Sequence, residues 1–275
     1  MLLLLALSVS VSAGQIWGVT GNGSGSSQRS ELFTLDTSTM TITKITTTAS
    51  GILYSDIAVT PSGYVYTVGN VNSTTGFNDL MRLNPSTGAI LGQWDLPLGM
   101  NSLTAKSDTT LLGVQWGSGV NANLIEVQLN AAGAYLSCTN LGRIDLQSNS
   151  GGDIALTPNG DYIAATNSGG SIYRIPVSGG SPNPAGATLV CNTSITGVGA
   201  LAYDFGDPLQ KLYAGSYNFT TIYTLNLATG VLTNAGVVNP TAISYSIYGM
   251  DVAVVPEPMT VLLLGVGIVL ARRIK

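Results

Sequence analysis

Apolar and polar residues alternate along this chain in short runs, and each run ends within a few residues at Gly, Pro, Asn or Ser. Alternation with a period of two marks half-buried strands, because successive side chains on a strand point to opposite faces. A helical stripe with a period of 3.6 is nearly absent between residues 15 and 254. One strand–turn–strand piece recurs as Leu32–Ile42, Met81–Ile90, Ile125–Tyr135, Ile172–Val190 and Ile222–Leu232, with turns near residues 40, 88, 133, 180 and 230. A second piece precedes these hairpins. Ser55-Asp56-Ile57-Ala58-Val59-Thr60-Pro61-Ser62-Gly63 matches Gly152-Asp153-Ile154-Ala155-Leu156-Thr157-Pro158-Asn159-Gly160, with weaker copies at Asn101–Ala105 and Gly199–Tyr203. Each leads into a further strand, at Tyr64–Val68, Leu111–Val114, Tyr162–Ala165 and Lys211–Ala214.

A unit of four strands repeated every 45–50 residues is a propeller blade. The first unit lacks its opening strand, since it begins at Gln15-Ile16-Trp17-Gly18-Val19. The missing strand stands at the other end, where Met250-Asp251-Val252-Ala253-Val254 repeats the Asp-Ile-Ala-Val opening. A sandwich or a β-helix leaves this match between the ends unexplained. The chain is therefore expected to be all-β: a five-bladed β-propeller over residues 15–254, closed by its C-terminal strand. Turns such as Asn84-Pro85-Ser86-Thr87-Gly88 resemble those of surface-layer and quinoprotein-like propellers. That resemblance implies fold and not function.

The two ends read differently from the body. Met1–Val11 is apolar and Val11-Ser12-Ala13 is a small-residue cleavage pattern. Residues 1–13 are expected to be a signal peptide cut between Ala13 and Gly14, although no Lys or Arg precedes the Leu run. An N-terminal anchor is the alternative. At the other end, Val255-Pro256-Glu257-Pro258-Met259-Thr260 precedes an apolar run to Ala271, then Arg272, Arg273 and Lys275. The prolines hold the segment before the run extended and accessible. A 12-residue helix spans about 18 Å against a bilayer core of about 30 Å. The basic stop, snorkelling and local thinning of the bilayer favour a membrane helix all the same.

This order of parts resembles the PEP-CTERM signal of exported bacterial proteins, read by an exosortase at the inner membrane. The resemblance covers residues 255–275. It implies Val255, Pro256, Glu257, Pro258 and Thr260 as the sorting and processing motif, and Arg272, Arg273 and Lys275 as the stop. It also implies the exosortase and the export machinery as partners, and an inner-membrane-anchored intermediate. The final place is then the cell surface or exterior of a Gram-negative-type bacterium, with an association to exopolysaccharide and biofilm. A plain, unprocessed anchor is the alternative.

Composition narrows the chemistry. Charged residues are only 9% of the chain. Between residues 14 and 255, seven basic stand against thirteen acidic residues, a net charge of −6. Such an exterior disfavours nucleic acid and anionic lipid as partners. The chain has no His, which removes the usual general base, the usual zinc ligand and every His-activated nucleophile. Cys138 and Cys191 fall on outer strands of neighbouring repeats. Export permits a bridge between them; two separate thiols is the simpler expectation. Gly21-Asn22-Gly23-Ser24-Gly25 lies between strands, with no helix to follow, so it reads as a hairpin tip and not as a phosphate cradle.

Asp56, Asp153 and Asp251 are expected to share one place at the start of the innermost strands, on one rim of the channel. Three carboxylates there suit a hard cation such as calcium, or they accept main-chain N–H groups as Asp commonly does. Ser102 and Ala200 hold the corresponding places in the other repeats. Tyr54, Tyr203, Tyr217, Tyr245, Tyr248, Trp94 and Trp116 either stack on sugars at a rim or pack between blades. The expectation is a non-enzymatic, exported binding or matrix protein without a cofactor. A calcium-dependent propeller hydrolase or lactonase and a self-associating envelope protein are the alternatives.

Overall fold

The computed structural model describes residues 14–253 apart from 22–26, 72–77, 116–120, 146–149, 167–169, 195–196, 206, 208 and 218–219. The signal peptide, sorting motif and membrane helix expected from sequence lie outside the described residues, as do most of the Gly21–Gly25 tip and Trp116. Among the described residues no helix is long and apolar enough to cross a membrane.

Five four-stranded antiparallel sheets form the molecule. Blade 1 contains β1 (Gln15–Gly21), β2 (Glu31–Asp36) and β3 (Thr41–Thr47). Blade 2 is β4 (Ile52–Val59), β5 (Val65–Val71), β6 (Asp79–Leu83) and β7 (Ile90–Asp95). Blade 3 is β8 (Met100–Ser107), β9 (Thr110–Gln115), β10 (Asn121–Leu129) and β11 (Tyr135–Asp145). Blade 4 starts with β12 (Ser150–Leu156), β13 (Tyr162–Thr166) and β14 (Ser171–Ile175). A small hairpin, β15 (Val177–Ser178) with β16 (Ser181–Pro182), interrupts it before its outer strand β17 (Thr188–Asn192). Blade 5 is β18 (Val198–Tyr203), β19 (Leu212–Ser216), β20 (Ile222–Asn226) and β21 (Val231–Asn234). The last strand, β22 (Ser246–Val252), pairs with β1 and becomes the innermost strand of blade 1, with Ile16 opposite Val252. Each innermost strand packs on the next, and β22 packs on both β18 and β4, so the ring is closed.

Local chemistry explains the repeated turn between the third and fourth strands. In four blades an Asx side chain accepts the main-chain N–H two residues on: Asp36 from Ser38, Asn84 from Ser86, Asn130 from Ala132 and Asn226 from Ala228. Gly88, Gly133 and Gly230 then supply the positive φ that the turn requires. Blade 1 places Met40 there instead, at φ 54, and buries part of its side chain against the blade 1–blade 5 core.

Apolar clusters fill the spaces between blades, each drawing on neighbouring sheets. Returning toward the seam, the chain is tied to blade 1 by polar contacts. The Asn239 side-chain amide accepts from the Ile42 N–H and donates to the Ile42 carbonyl, both at 2.7 Å, mimicking a further strand on β3. Buried Glu31 accepts the Ser244 N–H at 2.7 Å and pairs with Lys44 at 3.1 Å. Cys138 on β11 and Cys191 on β17 are half-buried free thiols. Fully buried Ile247 of β22 packs in the seam cluster with Ile16, Phe33 and Ala200. Ile247→Ala is expected to lower unfolding free energy by about 2–5 kcal/mol, the cost of a core cavity, as measured by denaturant titration. A loss under about 1 kcal/mol would mean that the seam adds little to the ring.

Candidate functional site

The innermost strand of any blade has one edge with no further strand to pair. Its inward main-chain groups need other partners near the axis. Asp56 on β4 answers part of this need. Its carboxylate accepts the N–H of its own neighbour Ile57 at 2.7 Å and that of Leu103, in blade 3, at 2.6 Å. Asp153 on β12 repeats the pattern with Ile154 at 2.5 Å and with Leu201 of blade 5 at 2.6 Å. It also accepts the Met250 N–H of blade 1 at 3.3 Å, across the ring. Asp251 on β22 accepts the Val59 N–H of blade 2 at 2.9 Å and the Thr104 hydroxyl of blade 3 at 3.3 Å. Three carboxylates thus touch all five innermost strands.

Asp56 and Asp153 sit mid-strand and Asp251 one residue from the end of β22, and all three are buried and not on the rim that the sequence suggests. A register irregularity in each innermost strand accompanies the change, for example between Tyr54 and Asp56 and between Val198 and Ala200; such bulges bend a strand and re-aim its side chains. Strand register also corrects the alignment of the last repeat. Val59 pairs with Val65 in blade 2 as Val252 pairs with Ile16 in blade 1. Gly249 is therefore the counterpart of Asp56, and Asp251 that of Ala58, two residues further along. There is no room for a larger residue at 249, since a Cβ there would lie 1.9 Å from Asp56 Oδ1. Carboxylates occupy two levels of the axis, and small residues accompany them: Ser102, Ala200 and Gly249 beside Asp56 and Asp153, and Ala58, Ala155 and Ala202 at the level of Asp251.

Burial raises the affinity of all three carboxyls for protons. Desolvation holds Asp56 well above the usual carboxylate range, reinforced by the adjacent Asp153. It also raises Asp153, against which the hydrogen bond from Asp56 and the main-chain N–H groups act. Asp56 is the partner that holds the shared proton. Desolvation brings Asp251 to about 8. With Asp56 and Asp251 protonated at neutral pH and the oxygens engaged by N–H and O–H donors, these residues do not fit a hard cation, which requires free, ionised oxygens. Among the described residues no group of three His, Cys, Asp or Glu is arranged to hold a metal ion.

The aromatic residues divide. Tyr217 meets Tyr248 edge to face at 4.9 Å and 76°, across the blade 5–blade 1 seam, and each ring lies over a glycine, Gly199 and Gly21. Tyr54 is buried, its phenol pushed up to about 12 by desolvation. These are packing roles. Tyr203 differs, because it lines an open cleft between blades 4 and 5 that sequence reasoning did not single out.

The hollow between the two blades, of about 320 Å³, adjoins a second of about 440 Å³ that is lined by blade 5 alone, and the two share Tyr203, Leu209, Gln210 and Leu227. The signal of the cleft lay in the comparison of repeats. In blade 2 the equivalent position is bridged: the Tyr66 hydroxyl donates to the Gly133 carbonyl at 2.8 Å, and Arg82, set over the Tyr64 ring at 5.6 Å, donates to the Ala132 carbonyl. Register aligns Tyr66–Arg82 with Ile163–Arg174 in blade 4. There Ile163 has no hydroxyl, and Asp161 takes the place of Tyr64. Asp161 binds Arg174 in an ion pair and accepts the Val177 N–H at 2.9 Å. The bridge to the next blade is not made, and the space stays open.

No family model and no curated relative matches the chain. Among solved structures it is similar to a protein of unknown function from Bacteroides caccae, with 14% identity over 81% of this chain and 72% of that one and a TM-score of 0.45. It is also similar to Myxococcus xanthus glutaminyl cyclase (13%, 78% and 75%, TM-score 0.45). A third is the PQQ-bound aldose sugar dehydrogenase of Streptomyces coelicolor (17%, 66% and 60%, TM-score 0.43). Likeness this distant carries no argument about activity.

The channel acids have a measurable consequence. Their folded pKa values are raised, so between about pH 4 and the folded values the native ring holds protons that the unfolded chain releases. Their contribution is complete in acid and is lost as pH rises through 7–8. Asp161 and Asp207 have the opposite sign, held low by main-chain N–H donors and their cationic partners, but their window lies below about pH 4. Melting temperature is expected to fall between pH 5 and pH 9, and Asp56→Asn to shrink that fall while lowering stability by about 1–3 kcal/mol through the orphaned Leu103 N–H. An unchanged profile in the variant would count against the shared proton.

Proposed function

We propose that the chain is an exported, exosortase-processed propeller that binds and does not catalyse, presented at the cell surface or released into an exopolysaccharide matrix. The observation that carries the non-catalytic part is the state of the channel. Its acids are committed to main-chain donors of all five blades, and the whole chain contains no His. Among the described residues each axial acid is already engaged by main-chain donors, which counts against the calcium-dependent hydrolase alternative. Export and sorting rest on the order of Pro256-Glu257-Pro258, the apolar run and the basic stop. Ring closure supports that arrangement: β22 completes blade 1 at Val252, so processing beyond Val255 leaves the propeller whole.

Replacing Pro256, Glu257 and Pro258 by Ala in an exosortase-bearing host is expected to leave the full-length chain in the inner membrane, while the unaltered chain is shortened and released. Fractionation with mass measurement reads the result. Release of the altered chain at the same mass would sink the sorting assignment.

A self-associating role has one observation in its favour. The outermost strands of four blades each expose a large apolar side chain: Leu91 at 53%, Leu136 at 61%, Leu189 at 50% and Val231 at 53%. Light scattering on the purified chain in detergent decides it. A monomer is expected at micromolar concentration, and an oligomer dispersed by Leu136→Lys would favour the structural role instead.

A further inference from the structure

We infer that the cleft between blades 4 and 5 is a binding site for a neutral oligosaccharide. The inference deepens the binding role proposed above and rests on it. Three observations meet at this place.

The first is an unanswered hydroxyl. Thr157 is 9% exposed, and its Oγ1 is buried without a hydrogen-bond partner while it lines the cleft. A lone buried hydroxyl is costly and calls for a partner. Its counterpart in blade 2 is not left this way: Thr60 Oγ1 meets the Ser62 hydroxyl at 3.2 Å and accepts the Tyr64 N–H at 3.0 Å. In blade 4 Asn159 and Asp161 stand for Ser62 and Tyr64, and the buried hydroxyl is left without either bond in the wall of the cleft.

The second is charge. Arg174 is paired with Asp161, and Lys211 with Asp207 at 3.1 Å. Each cation of the cleft is therefore already paired with a carboxylate of the protein, and neither pair carries a net charge to attract a phosphate or carboxylate. The remaining polar groups are uncharged hydroxyls and amides: Thr157, Asn159 and Gln210 in one hollow, and Thr224, Asn226 and Thr233 in the other.

The third is the mixture of surfaces. Leu209, 76% exposed, and Leu227 stand beside these amides, with the edge of Tyr203. A sugar ring presents the complement, C–H faces surrounded by hydroxyls that donate and accept. The two hollows in series suit more than one ring. A peptide is the competing occupant, because the outermost strands β17 and β21 contribute Val190, Val231 and Thr233 to the lining and an unpaired strand edge can take an added strand; hexapeptides in the binding panel decide between the two.

The test uses the full chain in detergent and a panel of cellohexaose, maltohexaose and xylohexaose, with neutral hexapeptides for comparison, read by calorimetry. At least one hexaose is expected to bind. Thr157→Val should weaken it about tenfold, the loss of one hydrogen bond, while raising Tm by about 2 °C through removal of the orphaned hydroxyl. Ile163→Tyr with Asp161→Tyr restores the blade 2 side chains and should abolish binding. Tyr66→Phe, on the bridged side of blade 2, should leave it unchanged. Sugar binding that survives both cleft variants would overturn this site yet leave the binding role standing. Preference for the hexapeptides, or no binding by the folded chain to either class, would overturn the ligand assignment. Processing at Pro256–Pro258 is a separate readout, so failure there does not imitate failure here.

Discussion

The hydrogen-bond demand of five unpaired strand edges facing one axis governs this structure. A sheet that ends at a channel leaves main-chain N–H groups without a ladder, and burying them unpaired is unfavourable. Three acids resolve the problem with few atoms, because a carboxylate accepts in several directions at once and the axis is narrow enough for Asp153 and Asp251 each to reach strands of non-adjacent blades. This explains the small residues at the same levels, where a larger side chain would displace an acid. It also explains the retained proton: like charges at close range in a desolvated place cannot all remain ionised. The centre of the ring is accordingly a fastener, and its chemical capacity is spent on holding the blades together.

The proposed binding site lies outward of this axis, between two blades. The blades are not equivalent, and the difference that matters is small. Tyr64 and Tyr66 with Arg82 join blade 2 to blade 3, whereas in blade 4 Asp161 pairs with Arg174 and Ile163 has no hydroxyl, so the polar bridge is missing beside the apolar core that blades 4 and 5 share. A repeat architecture permits such local departures, because each unit draws its stability mainly from its neighbours. The hydroxyl of Thr157 is the residue of that departure, a local cost of a kind that accumulates at working surfaces.

Much of the ring was legible in the chain because its signals are local. Asx residues and glycines at fixed offsets specify the turns at Asn84–Gly88 and Asn130–Gly133 directly, and the match between the two ends announced closure. The acids were legible as positions and open as to role. The motif Asp251-Val252-Ala253 mimics Asp56-Ile57-Ala58 so well that only register reveals the offset of two residues. Bulges leave little trace in sequence, so the inward placement of Asp56 and Asp153 was hidden and a rim was expected instead. The cleft was the least legible feature. It depends on what faces residue 163 from another blade, although the exchange of Tyr66 for Ile163 was visible wherever the repeats were aligned.

The pairing of Ile16 with Val252 also sets a timetable. A chain that is threaded through a membrane N-terminus first delivers β1 at the outset and β22 almost last. Blade 1 must wait through the emergence of every other blade with an open edge, since its inner strand does not yet exist on that side. Contacts so distant in sequence form slowly, and an open edge is an invitation to pair with another chain. For a chain exported in this way, the interval most exposed to mispairing is its delivery. A membrane tether following β22 would keep neighbouring copies dilute until that strand had found its place.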